Sequence, residues 1–245
     1  MSLERKGEIA AQLSNAVRNV SSSGIRLRHP EYSDAEASRA LMELLFGKTA
    51  CYPTETGGSQ MVFDATPFLA RLVKALNEAG VPFMLAGSFA SSMHGMPRTT
   101  RDLDFVIDPT QELLDRLLGR LAREGVYLDA TVAKSEFRRR GQFNVIDPST
   151  SWKADLIYCK ARAFSRAELE RRTPVTLLGV PLFVATAEDT ILAKLEWAKL
   201  GASERQLDDV RGIIEAQADL LDRAYVERWL DALGVRGLWD RVEQG

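Results

Sequence analysis

Cysteine is scarce in this sequence: Cys51 and Cys159 are the only two in 245 residues. Two isolated thiols build neither a disulfide framework nor a zinc site. They are expected to be ordinary reduced thiols of a cytoplasmic protein. No apolar run approaches the ~20 residues that cross a bilayer. The N-terminus also lacks the charged-then-apolar pattern of a signal peptide, so no membrane partner is expected. A basic excess is missing as well. The formal net charge of −2 argues against a broad nonspecific nucleic-acid surface and leaves room only for a local basic patch. There is no internal repeat and no low-complexity tract.

What remains is ordinary globular composition, 45% hydrophobic and 27% charged, enough for one large domain or two modest ones. Residues 1–48 read as a helical appendage: Ile9, Leu13, Val17 and Val20 recur at helical spacing, and Ser33 is placed to cap a helix running to Phe46. Residues 49–65 lack periodicity and contain Pro53 and Gly57-Gly58, so they read as a linker. From there to residue 185 the pattern alternates. A helix is expected over Pro67–Ala79, a buried strand over Pro82–Ala86, a short helix after Gly87, and a strand over Asp102–Ile107. Thr110 is expected to cap a helix through Arg123. Strands are expected near Thr131–Phe137, Gln142–Ile146 and Ala154–Tyr158, with a hairpin turning at Gly179. Residues 186–245 read as helices only. Strands in the middle and helices at the end predict an α+β fold with a C-terminal helical subdomain.

The chemistry concentrates in the stretch LAGSFASSMHGMPRTTRDLDFVIDP. Asp102 and Asp104 stand at i and i+2 of a strand and therefore project to one side, while Leu103, Phe105 and Ile107 point into a core. Two adjacent carboxylates repel unless a cation lies between them. Mg2+ takes one or two carboxylates plus substrate phosphates, so the pair points to phosphoryl or nucleotidyl transfer. At Gly87-Ser88 the missing side chain admits a phosphate to the backbone, and the start of a helix favours anions. Asp155 is an acid inside another apolar strand and the best candidate for a third metal ligand. There it would help activate an attacking hydroxyl. Lys153 shares its strand face, suited either to a phosphate contact or to an ion pair with Asp155.

Gly87-Ser88, then Asp102-Leu103-Asp104, then a single later acid at Asp155, resembles the nucleotidyltransferase superfamily of DNA polymerase beta type. The wording His94-Gly95-x-x-Arg98-x-Thr100-x-Asp102-Leu103-Asp104 resembles its minimal bacterial branch, which includes abortive-infection-type toxins. The resemblance covers about residues 66–215. It implies a small mixed sheet flanked by helices, a nucleoside triphosphate donor and Mg2+ held by Asp102, Asp104 and Asp155. Lys194, Arg205 and Asp209 resemble the helical Lys…Arg…Asp signature of that branch, in which Lys194 would reach the triphosphate and the other two would orient nearby groups. Arg98 stands just ahead of the acids as a phosphate ligand or as charge balance for them. His94 reads as a packed or capping residue. Arg138-Arg139-Arg140 reads as a solvated turn that would also suit a nucleic-acid acceptor.

The expected activity is transfer of a nucleoside monophosphate to a hydroxyl of an RNA 3′ end such as tRNA, a protein or a small molecule such as an aminoglycoside. One variant is a toxin restrained by an antitoxin protein. The rival is a non-catalytic nucleotide- or RNA-binding protein that retains the fold.

Overall fold

The computed structural model describes residues 23–33, 36–37, 40, 65–96, 100, 102–150 and 152–244. Most of the expected N-terminal helices, nearly all of the linker at 49–65, Cys51 and Arg98 lie outside the described residues.

Helix α1 (Ala65–Ala79) turns Phe68, Leu69, Leu72, Val73 and Leu76 inward. It leads to β1 (Phe83–Leu85), α2 (Gly87–His94) and β2 (Asp102–Ile107). Helix α3 (Gln111–Leu121) begins at Thr110, whose side chain accepts from the Leu113 amide as its sequence position predicts. Residues 131–137, expected as a strand, are instead part of helix α4 (Ala130–Arg139). The Asp129 side chain accepts from the amides of Thr131 at 2.8 Å and Val132 at 3.0 Å. Arg140 closes that helix in the left-handed region with φ 55°. These two caps override the β-branched character of Thr131 and Val132. Strands β3 (Gln142–Ile146) and β4 (Lys153–Tyr158) follow, then helix α5 (Ala163–Arg171), which the sequence reading omitted. Strands β5 (Thr173–Leu177) and β6 (Val180–Val184) form the expected hairpin.

The sheet is mixed and six-stranded, in the order β3-β4-β2-β1-β6-β5. Strand β2 pairs antiparallel with β1 and parallel with β4. One face, built by Leu103, Phe105, Ile107, Leu85 and Leu156, merges with α1, α2 and α3 into the main apolar core. Alternation along β2 and β4 turns Asp102, Asp104 and Asp155 to the other face.

The chain ends in helices α6 (Ala187–Gly201), α7 (Glu204–Gln217), α8 (Arg223–Leu233) and α9 (Arg236–Glu243). These close around a second apolar cluster that includes Ile191, Leu195, Ile213, Leu230 and Trp239. Residues 23–28 form a helical turn against the back of α2. Arg28 donates there to the Met93 carbonyl at 3.0 Å, and Leu27 packs on the main core. Ser33 and Glu36 bond reciprocally, Ser33 N–H to the Glu36 carboxylate at 2.8 Å and Glu36 N–H to the Ser33 hydroxyl at 3.3 Å. This is a capping box, the helix start expected at Ser33.

Candidate active site

Strands β2 and β4 run parallel with Asp104 abreast of Asp155 and Asp102 abreast of Lys153. The acids therefore come from adjacent strands and face one cavity of about 490 Å³. Gly87, Ser88, Lys194 and Arg205 line the same cavity. Seven of the residues singled out from sequence thus meet there. Lys153 and Asp209 stand directly behind them as partners of Asp155 and Lys194.

Gly87 opens α2 with φ +58°, a conformation that suits glycine. The Ser88 amide donates to Oδ2 of Asp104 at 3.4 Å. In this arrangement the first turn of α2 faces a carboxylate, the kind of group a helix N-terminus favours. Burial pushes the Asp104 carboxyl above its ordinary range. The Asp155 and Asp102 charges add to that, while the Ser88 amide and Lys194 oppose it.

Asp155 is nearly covered, its side chain 13% exposed. It accepts from the side-chain amide of Asn144, its neighbour on β3. Lys153 Nζ lies 3.2 Å from Asp155 and 3.6 Å from Asp102, so one ammonium joins two of the three acids. Burial pulls the Lys153 ammonium down, but the contacts to Asp155 and Asp102 win and hold it above the usual lysine range.

Lys194 is buried, and its Nζ donates to Asp209 at 2.6 Å. Its helix carries a stripe, Thr190, Ala193, Lys194, Trp197 and Leu200, along the cavity wall, spaced as one helical face. Arg205 is exposed at the start of α7 and has no hydrogen bond or ion pair among the described residues. His94 is buried away from the acids. Its Nε2 meets the Ala185 carbonyl at 2.7 Å, and burial drives its pKa down to about 4. It is a packed residue, as its sequence position predicts. Arg140 pairs with Asp108 at 2.7 Å, which leaves Arg138 and Arg139 as the exposed members of that basic run.

The donor set suits a hard divalent cation: three carboxylates, all oxygen, on one sheet face. Among the described residues no three His, Cys, Asp or Glu side chains form a ready-made metal cluster. Lys153 already serves as the cation between Asp102 and Asp155, and Asp104 is turned toward the Ser88 amide.

Sequence reasoning missed Asn144, Trp197 and Glu168. Asn144 carries a signal, a polar side chain inside QFNVI that an edge strand beside an acid would need. Trp197 and Glu168 sit in helices without a pronounced apolar face and carry none.

No family model matches the chain, and no curated protein matches its sequence. Among solved structures it is similar to ANT(2'')-Ia in complex with adenylyl-2''-tobramycin, with TM-score 0.47 and 14% identity over 69% of this chain and 97% of that one. The solution structure of the antibiotic-resistance factor ANT(2'')-Ia gives TM-score 0.44 at 14% identity, over 68% and 93%. An antigenic nucleotidyltransferase-like protein from Paracoccidioides brasiliensis gives TM-score 0.41 at 15% identity, over 70% and 90%. Among the described residues no helix is long and apolar enough to cross a membrane.

Proposed function

We propose that this protein is a nucleotidyltransferase, moving a nucleoside monophosphate from a nucleoside triphosphate to a hydroxyl of an acceptor. One observation carries the reading: Asp104 and Asp155 stand side by side on parallel strands, facing a cavity also lined by Gly87, Ser88 and Lys194. The order of these elements along the chain is that of the resemblance drawn from sequence.

In this reading the acceptor oxygen forms a bond to the α-phosphorus as the bond to pyrophosphate breaks. The hydroxyl proton passes to Asp155 and then to solvent. The amides of Gly87 and Ser88 receive phosphate oxygens. Lys194, fixed by Asp209, neutralises the triphosphate, and Arg205 is free to follow it. Asp102, Asp104 and Asp155 would hold Mg2+, which when bound supplies charge neutralisation of the phosphates and of the leaving pyrophosphate. Lys153 then exchanges its two carboxylate contacts for a phosphate contact. Most of the rate enhancement comes from positioning and electrostatics, as in phosphoryl transfer generally.

The test is incubation of the purified protein with each α-labelled triphosphate, Mg2+, and either total tRNA or a small-molecule fraction of a lysate. Label is expected in one acceptor fraction and lost in the Asp104→Asn variant. Label in neither fraction with any triphosphate overturns the reading.

A further inference from the structure

Among the described residues six large apolar side chains stand exposed, and of these only Trp197 at 55% and Leu200 at 73% line the cavity. Both sit on α6, on the face that carries Lys194. Each three-residue step along that face advances about 4.5 Å on the helix axis. No other ring packs on the Trp197 indole among the described residues. At the Lys194 end the wall is polar. The Lys194 charge acts on Asp104, and the Ser88 amide donates to the same carboxylate. The wall thus changes along one helix, from groups suited to phosphate to an aromatic and aliphatic surface.

Helix α7 adds a second observation. Oε1 of Gln206 is buried and accepts no hydrogen bond. Of the four buried side-chain atoms left without a partner among the described residues, it alone belongs to a residue lining the cavity. A buried carbonyl without a donor is a cost to the fold. Because it holds no bond where it lies, it loses none on turning to a ligand in the cavity, and it gains one. The ligand that suits this end has a flat face to lie on an indole and an N–H at its edge. Every nucleobase has both, and stacking on an aromatic side chain tolerates any of them. In a nucleoside triphosphate the base stands one ribose beyond the α-phosphate, in keeping with the single helical turn from Lys194 to Trp197.

We propose that Trp197 stacks the nucleobase of the donor and that the Gln206 amide holds its edge. The proposal rests on the nucleotidyltransferase reading and deepens it by assigning the base half of the donor site. The probes are the four ribonucleoside triphosphates and inorganic tripolyphosphate, which has the phosphates and no base. Binding is measured by calorimetry with Mg2+ present and by tryptophan fluorescence, on the wild type, Trp197→Ala, Trp197→Phe and Gln206→Leu.

In the wild type the tightest nucleotide should quench the fluorescence and tripolyphosphate should not. Trp197→Phe keeps a ring for the base, so the quench should vanish while nucleotide affinity stays within about threefold. Trp197→Ala should weaken the nucleotide roughly fivefold or more and leave tripolyphosphate nearly unchanged. Gln206→Leu should weaken the nucleotide about twofold or more with the same selectivity. Unchanged nucleotide affinity in Trp197→Ala overturns the proposal and leaves the transferase reading standing. Equal weakening of nucleotide and tripolyphosphate also overturns it, because a merely structural tryptophan does that. A loss confined to the KM of a tRNA acceptor overturns it and gives the indole to an acceptor base. A wild type that binds neither nucleotide nor tripolyphosphate overturns this proposal and the transferase reading together.

Discussion

A Cβ atom placed on Gly87 would lie 1.9 Å from Oδ2 of Asp104. The helix that offers its amides and the strand that offers its acid are packed so closely that only a residue without a side chain fits between them. The same glycine has φ +58°, so two constraints fall on one position.

Gly87→Ala should therefore act through Asp104. The backbone strain costs about 1 kcal/mol, and the carboxylate must turn away from the Ser88 amide. The expected outcome is a folded protein with transfer reduced at least tenfold and weaker triphosphate binding, measured by calorimetry beside an activity assay. Wild-type binding and rate in this variant would remove the α2 turn from the site.

Asp104→Asn nearly preserves shape but removes a negative charge. Electrostatic stabilisation at such sites contributes several kcal/mol, so a loss of at least ~100-fold in transfer is expected. Thermal stability should hold or rise, because the change relieves the burial cost and the repulsion from Asp155 and Asp102 that raise this carboxyl. A clear fall in Tm would mean that Asp104 is a structural acid.

Lys153→Met frees Asp102 and Asp155 from their shared ammonium. Partly exposed ion pairs contribute about 0.2–1 kcal/mol each, so Mn2+ or Mg2+ should bind the triphosphate-free protein roughly two- to tenfold more tightly. Titration calorimetry reads this directly. Unchanged or weaker binding shows that the lysine does not compete with metal.

The stability of the wild type should depend on pH through Glu168. Its pKa is raised from 4.5 to about 8 on folding, so the folded state holds a proton that the unfolded chain releases. The stabilisation is complete below pH ~4.5 and is lost as pH rises toward 8, on the order of a few kcal/mol in all. Glu168→Gln removes this slope. Between pH 5 and pH 9 the wild type should lose several degrees of Tm relative to the variant, and parallel melting curves would contradict the assignment.

The parts of the site most legible in sequence were those that break a pattern. Asp102, Asp104 and Asp155 interrupt apolar strands, and Gly87 interrupts a strand-to-helix transition. The C-terminal stretch was readable as helices only, and the structure has four α-helices there. The stretch 131–137 was misread because Thr131, Val132 and Phe137 favour strands locally, whereas the Asp129 cap and the left-handed Arg140 end decide for helix. Helix α5 went unseen because AFSRAELER carries only a weak apolar stripe. Its buried Glu168 looks like any solvated glutamate until the fold covers it. The Lys153 bridge was half-visible: its shared face with Asp155 follows from alternation, but its reach to Asp102 needs the pairing of β2 with β4.

That pairing also fixes what kinds of change the chain tolerates. Each acid faces the cavity only because its strand is in phase with the other, and a one-residue shift reverses which side every residue faces. Deleting a single residue early in β4 would swing Asp155 into the apolar core and bring Ala154 or Leu156 to the cavity. Point changes at Val106 or Ile157 merely reshape the cavity wall. In these two strands the heritable quantity is parity, odd against even, more than the identity of any one neighbour. Drift by substitution leaves the machinery standing, while the smallest change in length dismantles it.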